Sequence, residues 1–334
     1  MKKRVSLFLI IALVLSLALV GCAPKEEPKA EEKKPEPAPA PEKVFVNIAT
    51  GGTAGTYFPL GGGMADIWNK NIPGMNATAE STGASVANVN MLRDGKVEVI
   101  FVQNDVAYYA ATGTEIFSGT NNNGKYDGIR GLTTLYPETV QIVTLANKGI
   151  ETLVDLKGKK VAVGAPGSGT EANARQILEV AGLTYEDITE QYLSFAEAAQ
   201  NLKDGNIDAA FITAGHPTAA VQDIGAQNDI KIVSIPSDIA KNLIQKYPFY
   251  TQVTIPAGTY TKIATDSETV AVMAMLAVDA KLDTELAYNL LKTMYGNTDR
   301  MKASHANGAM ITKDSGKDGM SLDLHPGAEK FFNE

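Results

Sequence analysis

"VAVGAPGSGTEANARQIL", residues 161–178, decides the fold. Val161 to Val163 has the apolar pattern of a short buried strand, a glycine turn follows, and Ala174, Ile177, Leu178 and Ala181 then recur at helical spacing. A strand feeding a helix through a tight turn is the building unit of an α/β sheet with helices on its faces. "VFVNIATGGTAGTYFPLGG", residues 44–62, has the same form: a strand over Val44 to Ala49, a Gly/Thr turn, and a helix over Leu60 to Asn69. Thr56 and Thr170 close the two turns, 114 positions apart.

A second matched pair lies downstream. "LRDGKVEVIFVQND" begins at Leu92 and "LKDGNIDAAFITAG" at Leu202; each reads as a helix end, a glycine at the C′ position and a strand finishing in polar residues. The distance from Thr56 to Gly95 is 39 residues and from Thr170 to Gly205 it is 35. Two similarly wound lobes account for this repeat. In open α/β sheets ligands bind beyond the carboxyl ends of the strands, so two facing lobes present both glycine turns to one cleft.

The ends of the chain read differently. Lys2, Lys3 and Arg4 precede an apolar run from Ser6 to Val20, too short for an ordinary membrane span and built like a secretory signal. The run closes in Leu19-Val20-Gly21-Cys22, the form of a lipoprotein signal, and Cys22 is the only cysteine, so lipidation is its expected use and no intramolecular disulfide can form. Residues 23–43 are rich in Pro, Glu, Lys and Ala and have too little apolar surface to fold; they read as a disordered tether. The expected location is extracytoplasmic, held to the membrane by lipid. The net charge is −8 with scattered arginines, which argues against a nucleic-acid partner.

What the turns hold follows from what they lack. Gly55 is followed by Thr56 and Gly169 by Thr170, where a nucleotide phosphate loop needs lysine, and neither turn has the G-x-G-x-x-G order of a dinucleotide fold. Unsatisfied backbone N–H groups at a helix start, helped by Ser or Thr hydroxyls, match a single carboxylate. The candidates for capture are Thr53, Gly55, Thr56 and Tyr57 on one lobe with Ser168, Gly169 and Thr170 on the other; plain helix capping is the competing role. "ESTGAS", residues 80–85, offers Ser81, Thr82 and Ser85 as caps or ligand donors. Gln103 and Asp105 end an apolar strand, and Gly215 with His216 follows the matching strand of the second lobe.

Nothing marks an enzyme. His216, His305 and His325 show no zinc spacing, and Pro166 stands where a nucleophile elbow requires glycine. "TNNNGKYDG", residues 120–128, lacks the acidic ligands of a calcium loop and reads as a surface turn. No catalytic residue, metal or cofactor is expected.

The chain resembles the TAXI-family solute receptors of TRAP transporters. The resemblance runs through nearly all of the body: "IATGGTAGTYFPLGG", "STGASVANVNML", "VQND", "LYPE" at 135–138, "DLKGKKVAVGAPGSGTE", "DAAFITAGHP", "IPAGTY" and "HPGA" at 325–328. It implies an α/β, two-lobed, type II-like periplasmic-binding-protein fold with the ligand cleft between lobes. It also implies a monomer that passes an amino acid or a dicarboxylate, such as glutamate or 2-oxoglutarate, to the membrane permease subunits of an ion-gradient-driven TRAP transporter. The sequence gives no place to the carboxylate-gripping arginine of the better-known dicarboxylate receptors, so backbone amides and hydroxyls are expected to do that work. By analogy with such folds the first lobe is expected at 44–138 plus 256–334 and the second at 139–255, with crossings near Tyr136 to Thr139 and Thr251 to Ala257. Two other classes compete: an extracytoplasmic hydrolase using Ser168 as nucleophile, and a sensor engaging a membrane partner.

Overall fold

The computed structural model describes residues 43–334; the signal stretch 1–22, Cys22 and nearly all of the 23–43 tether lie outside the described residues. The first lobe begins β1 (Val44–Ala49), α1 (Tyr57–Asn71), β2 (Met75–Glu80), α2 (Ser85–Arg93), β3 (Val99–Gln103) and α3 (Asn104–Thr112). Strand β1 pairs in parallel with both β2 and β3. A long strand β4 (Ile129–Leu145) leads to the second lobe: β5 (Lys160–Ala162), α4 (Gly169–Val180), β6 (Thr189–Gln191), α5 (Phe195–Lys203) and β7 (Ala209–Ala214). There β5 pairs in parallel with β6 and β7, the same middle-strand arrangement as β1.

The second lobe is completed by α6 (Ala219–Gln227), β8 (Ile230–Val233), α7 (Ser237–Lys246) and β9 (Thr251–Ile255), after which β10 (Ser267–Asp279) returns to α8 (Thr284–Tyr295), α9 (Thr298–Ser304) and α10 (Pro326–Phe332). The strand order is β2-β1-β3-β10-β4-β7-β5-β6, with β8 on β4 and β9 on β10. The two crossing strands are antiparallel to each other and to the parallel blocks they join.

The helix ends carry the repeat into backbone geometry. Gly95 and Gly205 take left-handed conformations, with φ of +66° and +74°. The residue after each glycine donates back to the carbonyl five positions earlier, Lys96 to Met91 and Asn206 to Asn201, at 2.9 Å in both lobes. This is the Schellman closure, and it needs a residue without Cβ strain at that point.

Each lobe has its own core on both faces of its strands. Ala274, Leu276 and Val278 of β10 pack with Val46, Ile48, Leu60, Met64 and Trp68, while Met275 and Ala277 face the other way onto Val89, Ile100 and Val106. Trp68 also donates its indole N–H to Leu290 O at 2.9 Å, fastening α1 to α8. In the second lobe Val140, Ile142, Ile177, Leu178 and Phe211 form one core and Val143, Leu202, Ile212 and Val221 the other.

The cores show where the chain crosses. Strand β4 leaves the first core after Tyr136 and enters the second at Val140. The return lies between Val272 and Ala274, inside β10, and not at 251–257 as the extended proline context suggested. Ile255 and Tyr260 still pack in the second lobe, because β9 pairs with the first part of β10 before the chain crosses.

Candidate functional site

Four helices begin at the carboxyl ends of parallel strands and point their first turns at one cavity of about 60 Å³. At roughly 10–15 Å³ per water-sized position, that is room for a small solute. The first lobe contributes Thr56 and Tyr57 at the start of α1 and Ser85 at the start of α2. The second contributes Ser168, Gly169 and Thr170 at α4 with Ser194 and Phe195 at α5. Each helix start carries about half a positive charge on amides that lack intrahelical partners.

Those amides are engaged unequally. Ser168 Oγ accepts from Glu171 N at 3.2 Å, and Ser194 and Glu197 form a reciprocal capping box. Val86 N and Ala87 N of α2 donate to Gly167 O in the facing lobe at 3.0 and 3.1 Å. Helix α1 has no side-chain cap: Thr56 turns its hydroxyl across the cleft to Gly215 O at 3.2 Å. Further bonds close the lobes on each other, Ala220 N to Ala54 O at 3.3 Å and Asn173 Nδ2 to Asp105 Oδ2 at 3.0 Å. Gly169 lies so close to the Gln103 amide that a side chain there would collide with it.

Glu138, contributed by the crossing strand β4 and 2% exposed, also lines the cavity. Gln103 Nε2 donates to its Oε2 at 3.0 Å. Burial pushes the Glu138 carboxyl up to about 8, against the pull of neighbouring donors. The Tyr57 and Tyr136 hydroxyls face this carboxyl without completing a hydrogen bond, and Gln103 Oε1 and Thr213 Oγ1 are likewise buried and unpartnered. Buried polar atoms are nearly always paired, so these four, all on residues lining the cavity, leave hydrogen-bonding capacity there. Among the described residues lining it, none is Lys, Arg or His.

Of the residues singled out from the sequence, Gly55, Thr56, Tyr57, Thr82, Gln103, Ser168, Gly169 and Thr170 line this cavity. Thr53 is exposed at the tip of its turn, and Ser81 spends its hydroxyl on Gly51 O at 3.0 Å; both stand apart from the cavity. Asp105 is fully buried behind it, bonded to Val106 N and Asn173, where burial raises its carboxyl to about 6. Gly215 serves through its carbonyl, accepting from Thr56 and Thr218. His216 pairs its Nδ1 with Thr139 Oγ1 at 2.9 Å outside the cavity, and burial lowers its imidazole below the ordinary range.

Sequence reasoning missed Glu138, Tyr136, Ser194, Phe195 and Thr213 as site residues. An acid between apolar strand residues in "LTTLYPETV" was the available sign for Glu138. Ser194 announces itself by its S-x-x-E capping box, and Thr213 occupies the same place in the second repeat as Gln103 in the first.

Two facing α/β lobes joined by two crossing strands, with helix starts around a shared cavity, define a periplasmic-binding-protein fold of type II-like form. The chain belongs to the NMT1-like family, which matches residues 48–334. A protein of Escherichia coli (strain K12) named for aliphatic sulfonates binding is 35% identical over 91 residues, 27% of this chain and 28% of that relative's length. The alkanesulfonate-binding protein SsuA from Xanthomonas axonopodis pv. citri, solved bound to MOPS, has a TM-score of 0.51 at 13% identity over 88% of this chain and 85% of its own. A solved protein of Bordetella bronchiseptica RB50 has a TM-score of 0.51 at 16% identity, covering 86% and 82% of the two chains.

Proposed function

We propose that the protein is an extracytoplasmic receptor that captures a small carboxylate-bearing solute and passes it to a membrane permease. The observation carrying this reading is the convergence of four helix starts, two from each lobe, on one cavity that cross-lobe hydrogen bonds close. Thr56, Ser168, Gly169 and Thr170 hold the carboxylate, Tyr57 packs over the solute, and Thr82 and Gln103 meet its other polar end. The relatives named for sulfonate binding support an anion end, since a sulfonate has the same charge as a carboxylate.

The finer reading rests on the motif resemblance: a permease of TRAP type, lipid anchoring through Cys22, and an amino acid or dicarboxylate as solute. Capture here requires no chemistry. The hydroxyl of Ser168 caps its own helix, and among the described residues no histidine bonds to it.

Native mass spectrometry of the purified protein, followed by mild denaturation, tests the reading. A released small carboxylate is expected; an empty protein whose melting temperature no carboxylate or sulfonate raises would overturn it.

A further inference from the structure

The lining of the cavity divides by exposure. Thr56, Tyr57, Gln103, Tyr136, Thr170 and Thr213 are buried and form its inner end, which holds the unpartnered polar atoms. Gly52, Gly83, Ala84 and Ala165, with Thr82 and Ser194, line the same cavity and keep contact with solvent, so they stand at its mouth. All of these are small. The one large side chain at the mouth, among the described lining residues, is the half-buried Phe195.

Both lobes fix its place. The Ser194–Glu197 capping box starts α5 so that Phe195 is its first residue. The ring packs on the second lobe's core, as does Ala54 from the tip of the first lobe's glycine turn. Ala220 N holds the Ala54 carbonyl at 3.3 Å, so the closed form seats this turn beside the ring. The next residue of the turn, Gly55, faces the ring directly: a Cβ there would lie 3.4 Å from two ring carbons.

We infer that Phe195 is the specificity-determining residue for solute length, its ring closing the mouth over a space of about 60 Å³. This rests on the receptor reading above and adds a size limit to it: the solute is a short one. Its carboxylate is held at the buried helix starts, and the crossing strand β4 backs the inner end through Tyr136 and Glu138, so a longer solute extends toward the mouth. Each methylene buried short of the ring adds about fourfold in affinity. The first that must displace the ring, or hold the lobes apart, costs about tenfold.

The test is calorimetry on the full-length protein and on Phe195→Ala with four straight-chain series graded by length: monocarboxylates from acetate to octanoate, and dicarboxylates, 2-amino acids and alkanesulfonates of matching lengths. In the unsubstituted protein, affinity within a binding series is expected to rise to a maximum and then fall. Phe195→Ala should move that maximum about two methylenes longer and leave the shortest members little changed. Phe195→Leu should move it by about one and serves if the alanine variant fails to fold. A merely structural ring would lower every length alike. An unmoved maximum, or no length limit in the unsubstituted protein, overturns this inference and leaves the receptor reading standing. No member of any series binding overturns both.

Discussion

The two lobes are built alike and used differently. Each winds strand, helix, strand, helix, strand, ends its second helix on a left-handed glycine, and aims two helix starts at the cleft. Gln103 and Thr213, equivalent in the repeat, both reach the cavity with unpartnered oxygens. The second lobe caps its two cavity helices, α4 and α5, with its own serines, Ser168 and Ser194. The first leaves α1 uncapped and sends Thr56 and the α2 amides across to the second lobe. At the cavity the second lobe's helix starts are thus capped from within and the first lobe's are satisfied by closing, while at α6 the direction reverses, Ala220 N donating to Ala54 O. Glu138 belongs to neither repeat, since it lies on the crossing strand, and it alone breaks the symmetry of charge.

The largest effect should come from Gly169→Ala. The added methyl meets only the ends of the Gln103 and Ser85 side chains, so the Gln103 amide must swing away and give up its bond to Glu138, and solute affinity should fall by about tenfold or more. Undiminished affinity in calorimetry would mean that the Gln103 amide moves without cost to the site.

Thr56→Ala and Thr170→Ala sharpen the comparison directly. Losing the Thr56 bond to Gly215 removes about 0.5–1.5 kcal/mol from the closed form, or roughly three- to tenfold in affinity. Thr170→Ala, with no cross-lobe bond to lose, should weaken binding through the solute alone. Scattering from the unliganded variants tells the two apart, since only Thr56→Ala should shift it toward an open shape.

Stability against pH reports the buried acids. Asp105 and Glu138 both have carboxyls raised on folding, from 3.8 to about 6 and from 4.5 to about 8. The folded state therefore binds more protons than the unfolded one between those values, and stability falls as pH rises, first from about 4 to 6 and then on to about 8. Asp105→Asn should flatten the lower step in denaturant titrations and, by removing a charge that helps raise Glu138, draw the upper one toward lower pH. A profile unchanged by the substitution would mean that Asp105 does not titrate in this range.

The smallest change concerns Ala84, which precedes α2 at φ +71° and ψ −147°, a region that favours glycine. Ala84→Gly should raise the melting midpoint by the equivalent of up to about 1 kcal/mol. No second-lobe cap carries this strain, because Ser194 enters α5 from an ordinary extended conformation.

Much of the architecture was legible because its signals are local. The glycine turns, the helix spacing and the Asp-Gly helix ends read directly, and the segment Thr284 to Tyr295 forms the helix expected there. The second crossing was misplaced because a proline after an extended run looks the same in a hairpin edge as in a linker; pairing of β9 with β10 distinguishes them. Thr53 and Ser81 have the right chemistry for a site, but which hydroxyl of a turn faces inward depends on the turn's conformation.

The sequence by itself determined the order of strands and helices, the duplicated turns and the left-handed glycines, since each depends on residues a few positions apart. Only the tertiary structure decided that Glu138 lines the cavity. An acid in a strand is ordinary on a surface, and its meaning comes from burial beside Gln103 at a cavity on which four helix starts converge from distant parts of the chain.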